Sequence, residues 1–310
     1  DAGNYETGSG IKPLTEYSTT DYTAILGTVL ADGSKLEFNY TNNRQDKVGY
    51  PGLTMDIVYS YTDMYTLKYQ RVTPFMIFSS MNIDLFNTDI DHLMNNVVLR
   101  GNSGNGVMAW PTASDTYGGR IIGTIGSDMR AGIDYEHNRK DAEQNMVMSG
   151  SNKFLTYLWP GVETEKLGIF FEKDLGNISY GLRYDQVELD PTKAAEDAGG
   201  MMFKTANEVY STDYDATIVA SKREYDNISG FLRFTKDIDP GETYINLSVN
   251  ERAPDTTELF HAKWNASSEM MRHVGNPNLS SERHMTIEVG YEGMLMGNHI
   301  TGSVYYNDVD

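Results

Sequence analysis

Along most of the chain, apolar and polar residues change places at every step. In "ISYGLRYDQV" (178–187), Ile178, Tyr180, Leu182 and Tyr184 fall on one face, and Ser179, Gly181, Arg183 and Asp185 on the other. In "TYINLSVN" (243–250), Ile245, Leu247 and Val249 oppose Tyr244, Asn246, Ser248 and Asn250. Residues 35–42, 165–172, 285–292 and 300–307 carry the same stripe. A period of two is that of a β-strand with unlike faces, and helical periodicity is scarce. Alternation alone does not say what lies outside, because a soluble β-sandwich shows it with the apolar face turned inward.

The connections separate the two cases. Short turns fall near 31–34, 71–74, 126–129, 174–177, 237–241 and 295–298, and long polar loops at 45–58, 101–116, 139–163, 190–224 and 250–281. Tight turns at one end and long loops at the other are the layout of a transmembrane β-barrel. Six turns imply about twelve antiparallel strands, and an open sheet of that size would expose its edges. The fold expected is therefore an all-β, antiparallel transmembrane β-barrel. The face bearing Arg183 and Asp185 would line a wet lumen, and Tyr22, Tyr69, Tyr117, Tyr225 and Tyr306 would sit near strand ends as an interfacial girdle.

Composition narrows the picture. The 310 residues include 29 Gly and 21 Tyr but only 9 Pro, which suits strands joined by turns. No shift in composition divides them, so 1–310 reads as one domain. Cysteine is absent, which rules out disulfides and thiolate metal ligands within the chain. The net charge of −19 argues against nucleic acid as a partner. No apolar run reaches the length of a membrane-spanning helix, and "DAGNYETGSG" at the start lacks the regions of a signal peptide. The last residues, "ITGSVYYNDVD", stop within a strand pattern, so the sequence is expected to be a piece of a longer barrel.

Two segments connect the barrel to a family. "NERAPDTTELFHAKW" from residue 250 and "HVGNPNLSSERHMTIEVGYEG" from residue 273 resemble TonB-dependent receptors. There an Arg-Ala/Ser-Pro-Asp segment with Glu-Leu-Phe/Tyr precedes Gly-Asn-Pro-x-Leu-x-x-Glu and a returning strand. Arg252, Ala253, Pro254, Asp255, Glu258, Leu259 and Phe260 match the first part, and Gly275, Asn276, Pro277, Leu279 and Glu282 the second. The resemblance implies a Gram-negative outer-membrane barrel of about 22 strands in contact with lipid. It also implies an N-terminal plug domain and energy supplied by the TonB complex through that plug. No plug, TonB box or set of C-terminal closing strands is recognisable within 1–310, so energy coupling falls on no residue here.

Within that superfamily the first half resembles the TonB-dependent copper receptors. The likeness rests on "DKVGYPGLTMD" (46–56) and on Asp91, His92, Met94 and Asn96 in "TDIDHLMNNV" (88–97). It implies that His92 and Met94 are copper ligands, completed by a Cys and a Met from the plug. The residues themselves agree with a soft metal. Positions i and i+2 of a strand share a face and lie about 7 Å apart. Thioether sulfur selects Cu(I), while imidazole accepts either oxidation state. Counting by twos from Met81, Ile83 and Leu85, expected to face lipid, puts His92 and Met94 inward, near the extracellular mouth.

Sixteen methionines are many for this length, and several stand in the expected loops: Met146 and Met148, Met201 and Met202, Met270 and Met271 beside His273, and Met285 next to His284. They read either as a soft-metal antenna or as flexible gap-fillers. Haem is the alternative ligand, with His261 and His273 lying between "RAP" and "NPNL" as a haem-binding His does in haem receptors. Glu251 stands where that family usually has Phe. Siderophore receptors share the same segments. An enzyme is not expected, since there is no Gly-x-Ser-x-Gly elbow and the six His show no triad spacing. A passive porin or adhesin is disfavoured by the receptor-like loop at 250–282.

Overall fold

The computed structural model describes residues 1–101, 107–148, 151–196, 203–265 and 272–310. Twelve strands form one antiparallel sheet in which every strand pairs with the next long strand of the chain. Its first half runs β1 (Ser18–Val29), β2 (Lys35–Val48), β3 (Asp56–Arg71), β4 (Ser80–Asn95), β5 (Val107–Ile125) and β6 (Met129–Met148). The second continues with β7 (Ser151–Asp174), β8 (Ile178–Pro191), a helix α1 (Ala206–Asp213), β9 (Arg223–Ile238) and β10 (Gly241–Arg252). A short helix α2 (Thr256–Phe260) follows, then a two-residue hairpin of β11 (Ala262–Lys263) and β12 (His273–Val274). The sheet resumes with β13 (Glu282–Leu295) and β14 (Asn298–Val309). β1 and β14 are its two edges, so the sheet is an arc of barrel wall and is not closed.

All six expected short turns are present, and their chemistry is local. Asp32 accepts hydrogen bonds from the Ser34 amide (3.0 Å) and hydroxyl (2.5 Å), while Gly33 between them takes φ 82°. Asp174 accepts from the Gly176 amide at 2.8 Å, and Gly176 also has φ 82°. An Asp side chain folding its own backbone, followed by a residue free to be left-handed, is what a tight strand reversal needs.

The outward face carries an apolar belt. Leu85 is 47% exposed, Leu182 51% and Ile228 60%, which is what lipid-facing side chains show when no lipid is present. Tyr65, Tyr117, Tyr135 and Tyr184 stand outward at the upper edge of this belt, and Tyr117 and Tyr135 approach with ring centroids 6.5 Å apart. Above them the outward face turns acidic at Asp63, Asp89 and Asp115, which are direct partners across β3, β4 and β5. Tyr225 departs from the expected girdle. It is buried on the inner face, where its hydroxyl donates to the Leu279 carbonyl at 2.8 Å.

The inner face is polar and braced. Arg183 donates to both oxygens of Asp134 at 2.9 Å and through Nε to Asp185 at 2.7 Å. The guanidinium fills the space left by Gly168, where a Cβ would lie 2.1 Å from Arg183 Nη2. This confirms the lumenal side expected for Arg183 and Asp185.

Several expected loops are in fact wall. β6 and β7 run on together to Met148 and Ser151, so 139–163 is mainly a strand hairpin rising past the membrane zone. Register shifts at Lys140/Ala142, Ala142/Glu143 and Gln144/Asn145 break its alternation. The connection at 45–58 shortens to residues 49–55, and β5 begins at Val107 within the expected 101–116 loop. The two longest connections, after β8 and after β10, carry α1 and α2 and bury the main apolar core of the chain. There Val209 and Tyr210 of α1 pack with Leu259 and Phe260 of α2 against Val187 and Leu189 of β8. The Tyr210 hydroxyl donates to the Phe260 carbonyl at 2.7 Å and fastens the two helices together.

Candidate metal site at the mouth of the barrel

β4 pairs with β5 without interruption from Ser80↔Thr124 to Asn95↔Ala109. Because nothing shifts its parity, His92 and Met94 share the face of Asp84, whose partner Arg120 approaches Asp134 in the lumenal network. Both are half-buried. They lie beyond Asp89, where the outward face has left the apolar belt, so they stand above the lipid zone as expected.

His92 is flanked by Ser60 and Thr112, and Met94 by Ile57 and Trp110. The His92 Nε2 atom is buried and has no hydrogen-bond partner, and neither has the Trp110 indole nitrogen. A buried imidazole nitrogen without a partner carries a desolvation cost that a ligand would relieve. Beside Met94, β3 bulges. Ile57 pairs with Met94 while Tyr59 already pairs with Leu93, so Val58 is the extra residue. The bulge turns Ile57 inward and bends the wall at this point.

The end of β4 is held firmly. Asn95 Oδ1 accepts from the Val97 and Val98 amides at 3.1 and 3.0 Å, and Asn96 Oδ1 accepts from the Met108 amide at 2.9 Å. Asp56, 1% exposed in its side chain, receives Arg100 at 2.5 and 2.7 Å and the Tyr50 amide at 2.8 Å. The segment at 46–56 that resembles copper receptors therefore fixes the two loops beside the His92 strand.

The receptor-like motif is structural in the same sense. Arg252 reaches Glu258 with two bonds of 2.8 and 3.0 Å and Glu282 with one of 2.7 Å, joining β10, α2 and β13. Asp255 and Glu258 close a capping box at the start of α2. Arg252 and the Asp255 amide hold the Glu258 carboxyl below its ordinary range. Gly275 lies against the backbone of α2, where a Cβ would come 2.7 Å from the Leu259 carbonyl carbon and the Thr257 oxygen. The Gly275 amide donates to His261 at 2.7 Å and the Asn276 amide to Glu258 at 2.8 Å.

That clamp brings a second group of side chains into the mouth. The Gln144 side chain and the Trp264 backbone exchange hydrogen bonds of 2.8 and 3.0 Å, pinning the loop to β6. The Lys263 ammonium lies 5.5 Å over the Trp110 ring, so the loop touches the wall next to Met94. His261 and His273 meet with ring centroids 4.8 Å apart, and the Trp159 ring stands edge-on to His261 at 6.3 Å. His261 Nδ1–H donates to the His273 carbonyl at 2.6 Å. Burial pushes the His261 imidazole below its usual pKa.

The methionines divide. Met146 is half-buried in β6 opposite Met108 and Lys153, and Met148 lies at the strand end opposite Ser151. Met201, Met202, Met270 and Met271 fall outside the described residues. Met285 and His284 do not form a pair. Met285 is exposed on the lipid side, and His284 turns inward to the Glu282 carboxylate and the Asn307 amide. Among the described residues no three His, Asp or Glu side chains converge as a metal cage. Among the described residues the fold brings together two sets of the expected donors: His92 with Met94 on the wall, where Met108 and Met146 stand on the neighbouring strands, and the loop's pair of imidazoles.

Tight turns at one end, long folded loops at the other, an outward apolar belt and a braced polar interior define the wall of an outer-membrane β-barrel. The chain belongs to the TonB dependent receptor-like, beta-barrel family, whose match covers residues 2–310. No curated sequence matches it. Among solved structures, the copper transporter OprC superposes with a TM-score of 0.76 at 17% identity, over 99% of this chain and 47% of OprC. The Serratia marcescens hemophore receptor HasR, in complex with its hemophore HasA and heme, gives 0.59 at 17% identity, over 94% of this chain and 45% of HasR. The siderophore receptor PiuA from Acinetobacter baumannii gives 0.58 at 12% identity, over 98% and 51%. At these identities the likeness is one of fold, and the chain spans about half the length of each structure.

Proposed function

We propose that this chain is the wall of an outer-membrane receptor that takes up copper in partnership with a plug domain and the TonB complex. His92 and Met94 are the wall's share of the metal site. The carrying observation is the buried, unpartnered His92 Nε2 on the same inward face as the Met94 thioether. An imidazole and a soft sulfur on one face suit copper, whereas zinc would call for more nitrogen or thiolate and magnesium for oxygen. OprC, a copper transporter, has this wall shape, which supports the reading. Two ligands leave an ion under-coordinated, and the copper-receptor resemblance assigns the rest of its shell to the plug.

Haem is the second reading, favoured by the meeting of His261 and His273 under the receptor-like loop and by the likeness to HasR. The same geometry weighs against both imidazoles serving one haem. Rings 4.8 Å apart are already in mutual contact, and no porphyrin plane fits between them. Copper accumulation in cells making the receptor or its His92→Ala/Met94→Ala variant tests the proposal. Accumulation is expected to fall to the level of cells without the receptor. Undiminished copper together with haem-dependent growth would replace copper by haem.

A further inference from the structure

His261 and His273 come from the two ends of one loop. His261 closes α2, where its amide donates to the Thr257 carbonyl at 3.3 Å and its own carbonyl accepts from the Gly275 amide at 2.7 Å. His273 opens β12 and pairs with Lys263 across the small hairpin. The backbone is thus fixed on both sides before either ring is placed. Gly275 and the Arg252 clamp hold the hairpin against α2.

The rings then take up a definite relation. His261 Nδ1 faces a carbonyl oxygen, which can only accept, so that nitrogen carries the proton and the lone pair lies on Nε2. An imidazole that donates one N–H to a backbone carbonyl has the orientation and tautomer usual for a metal-binding histidine. No other hydrogen bond engages this ring among the described residues, and the exposed His273 ring makes none. Centroids 4.8 Å apart with planes tilted by 52° leave a separation that two imidazoles on adjacent positions of one ion would also have. Two nitrogens each about 2.0 Å from an ion can meet it in adjacent positions.

We propose that His261 and His273 form a second copper site on the extracellular side of His92 and Met94, binding Cu(II) through two imidazole nitrogens. The proposal rests on the reading that this receptor handles copper, and it adds where the ion is first held. Among divalent first-row metals, a two-imidazole site binds Cu(II) most tightly. Neither residue has a sulfur partner among the described residues, in contrast to the soft pair in the wall. The loop that carries the imidazoles is tied to the wall beside Met94 through Lys263 and Trp110, so the two pairs sit on neighbouring parts of the mouth.

The test is Cu(II) titration of the purified receptor, followed by electron paramagnetic resonance. The wild type is expected to bind one equivalent whose spectrum shows superhyperfine splitting from two nitrogens. His261→Gln and His273→Gln should each abolish that signal, with heat-modifiable gel migration confirming an intact barrel. The signal should persist in His92→Ala/Met94→Ala, so loss of the wall site and loss of the loop site are read separately. A two-nitrogen signal that survives both Gln substitutions would overturn the proposal. So would the absence of any such signal in the wild type, or a haem Soret band that depends on these two histidines with no bound Cu(II).

Discussion

Met94 on β4 stands directly across the ladder from Trp110 on β5, and the ring of Trp110 carries the Lys263 ammonium 5.5 Å above it. Through this pair the wall residues His92 and Met94 are joined to the loop that holds α2 and the two histidines. A substitution at Trp110 should therefore be felt on both sides. Trp110→Ala is expected to weaken copper binding at the wall and to make 253–281 more open to protease. Lys263→Ala removes only a cation–π contact worth about 0.5–1 kcal/mol and should loosen the loop without touching copper affinity at the wall. Parallel copper titration and limited proteolysis check both.

Gly275 leaves no room for a side chain against α2. Gly275→Val forces backbone to move at Thr257, Glu258 and Leu259 and is expected to destabilise the loop by about 1–3 kcal/mol. Proteolysis within 253–281 should quicken while the heat-modifiable barrel persists.

The Arg252 clamp predicts a pH response. Glu258 titrates below its ordinary 4.5 in the folded loop. A depressed carboxyl contributes stability that is complete above the unfolded value and is lost as pH falls through the folded one. Loop protection from acid-active protease should thus be flat from pH 8 to about 5 and decline below about 4.5. Glu258→Gln should flatten that decline and lower protection at neutral pH. The side chain is 39% exposed, so the effect is about 1 kcal/mol or less.

Arg183 bridges Asp134 and Asp185 inside the lumen. Arg183→Ala leaves two carboxylates facing the space above Gly168. It is expected to cost about 1–3 kcal/mol, read as a lower temperature of heat modification. Arg183→Lys should recover only part, since an ammonium cannot bridge both carboxylates as the planar fork does.

The wall was legible because its signals are local. Alternation at 178–187 and 243–250 follows from the strand itself, and each tight turn has a short connecting segment, as in "ADGS" at 31–34. The inward parity of His92 and Met94 could be counted because the bulge falls on β3 and not on β4. What escaped had physical cause. The β6–β7 extension was hidden by its register shifts, and above the lipid belt both faces are polar. Pro111 has no N–H, and both it and Trp110 lack partners on β6, so the start of β5 has the pattern of a loop and nothing in it singles out Trp110. The bond between Gln144 and Trp264 spans 120 residues, and no sequence pattern announces it. The candidate pair was visible as residue types. Its neighbour Trp110 and the meeting of His261 with His273 required the folded loops.

On the proposed reading, His92 and Met94 supply the wall's half of a copper site. Copper stoichiometry of the purified receptor, measured by elemental analysis after dialysis against a weak chelator, tests it most directly in His261→Gln/His273→Gln protein with and without His92→Ala/Met94→Ala. The parent should retain one tightly held copper and the fourfold variant none. An unchanged copper content in the fourfold variant would remove His92 and Met94 from the site.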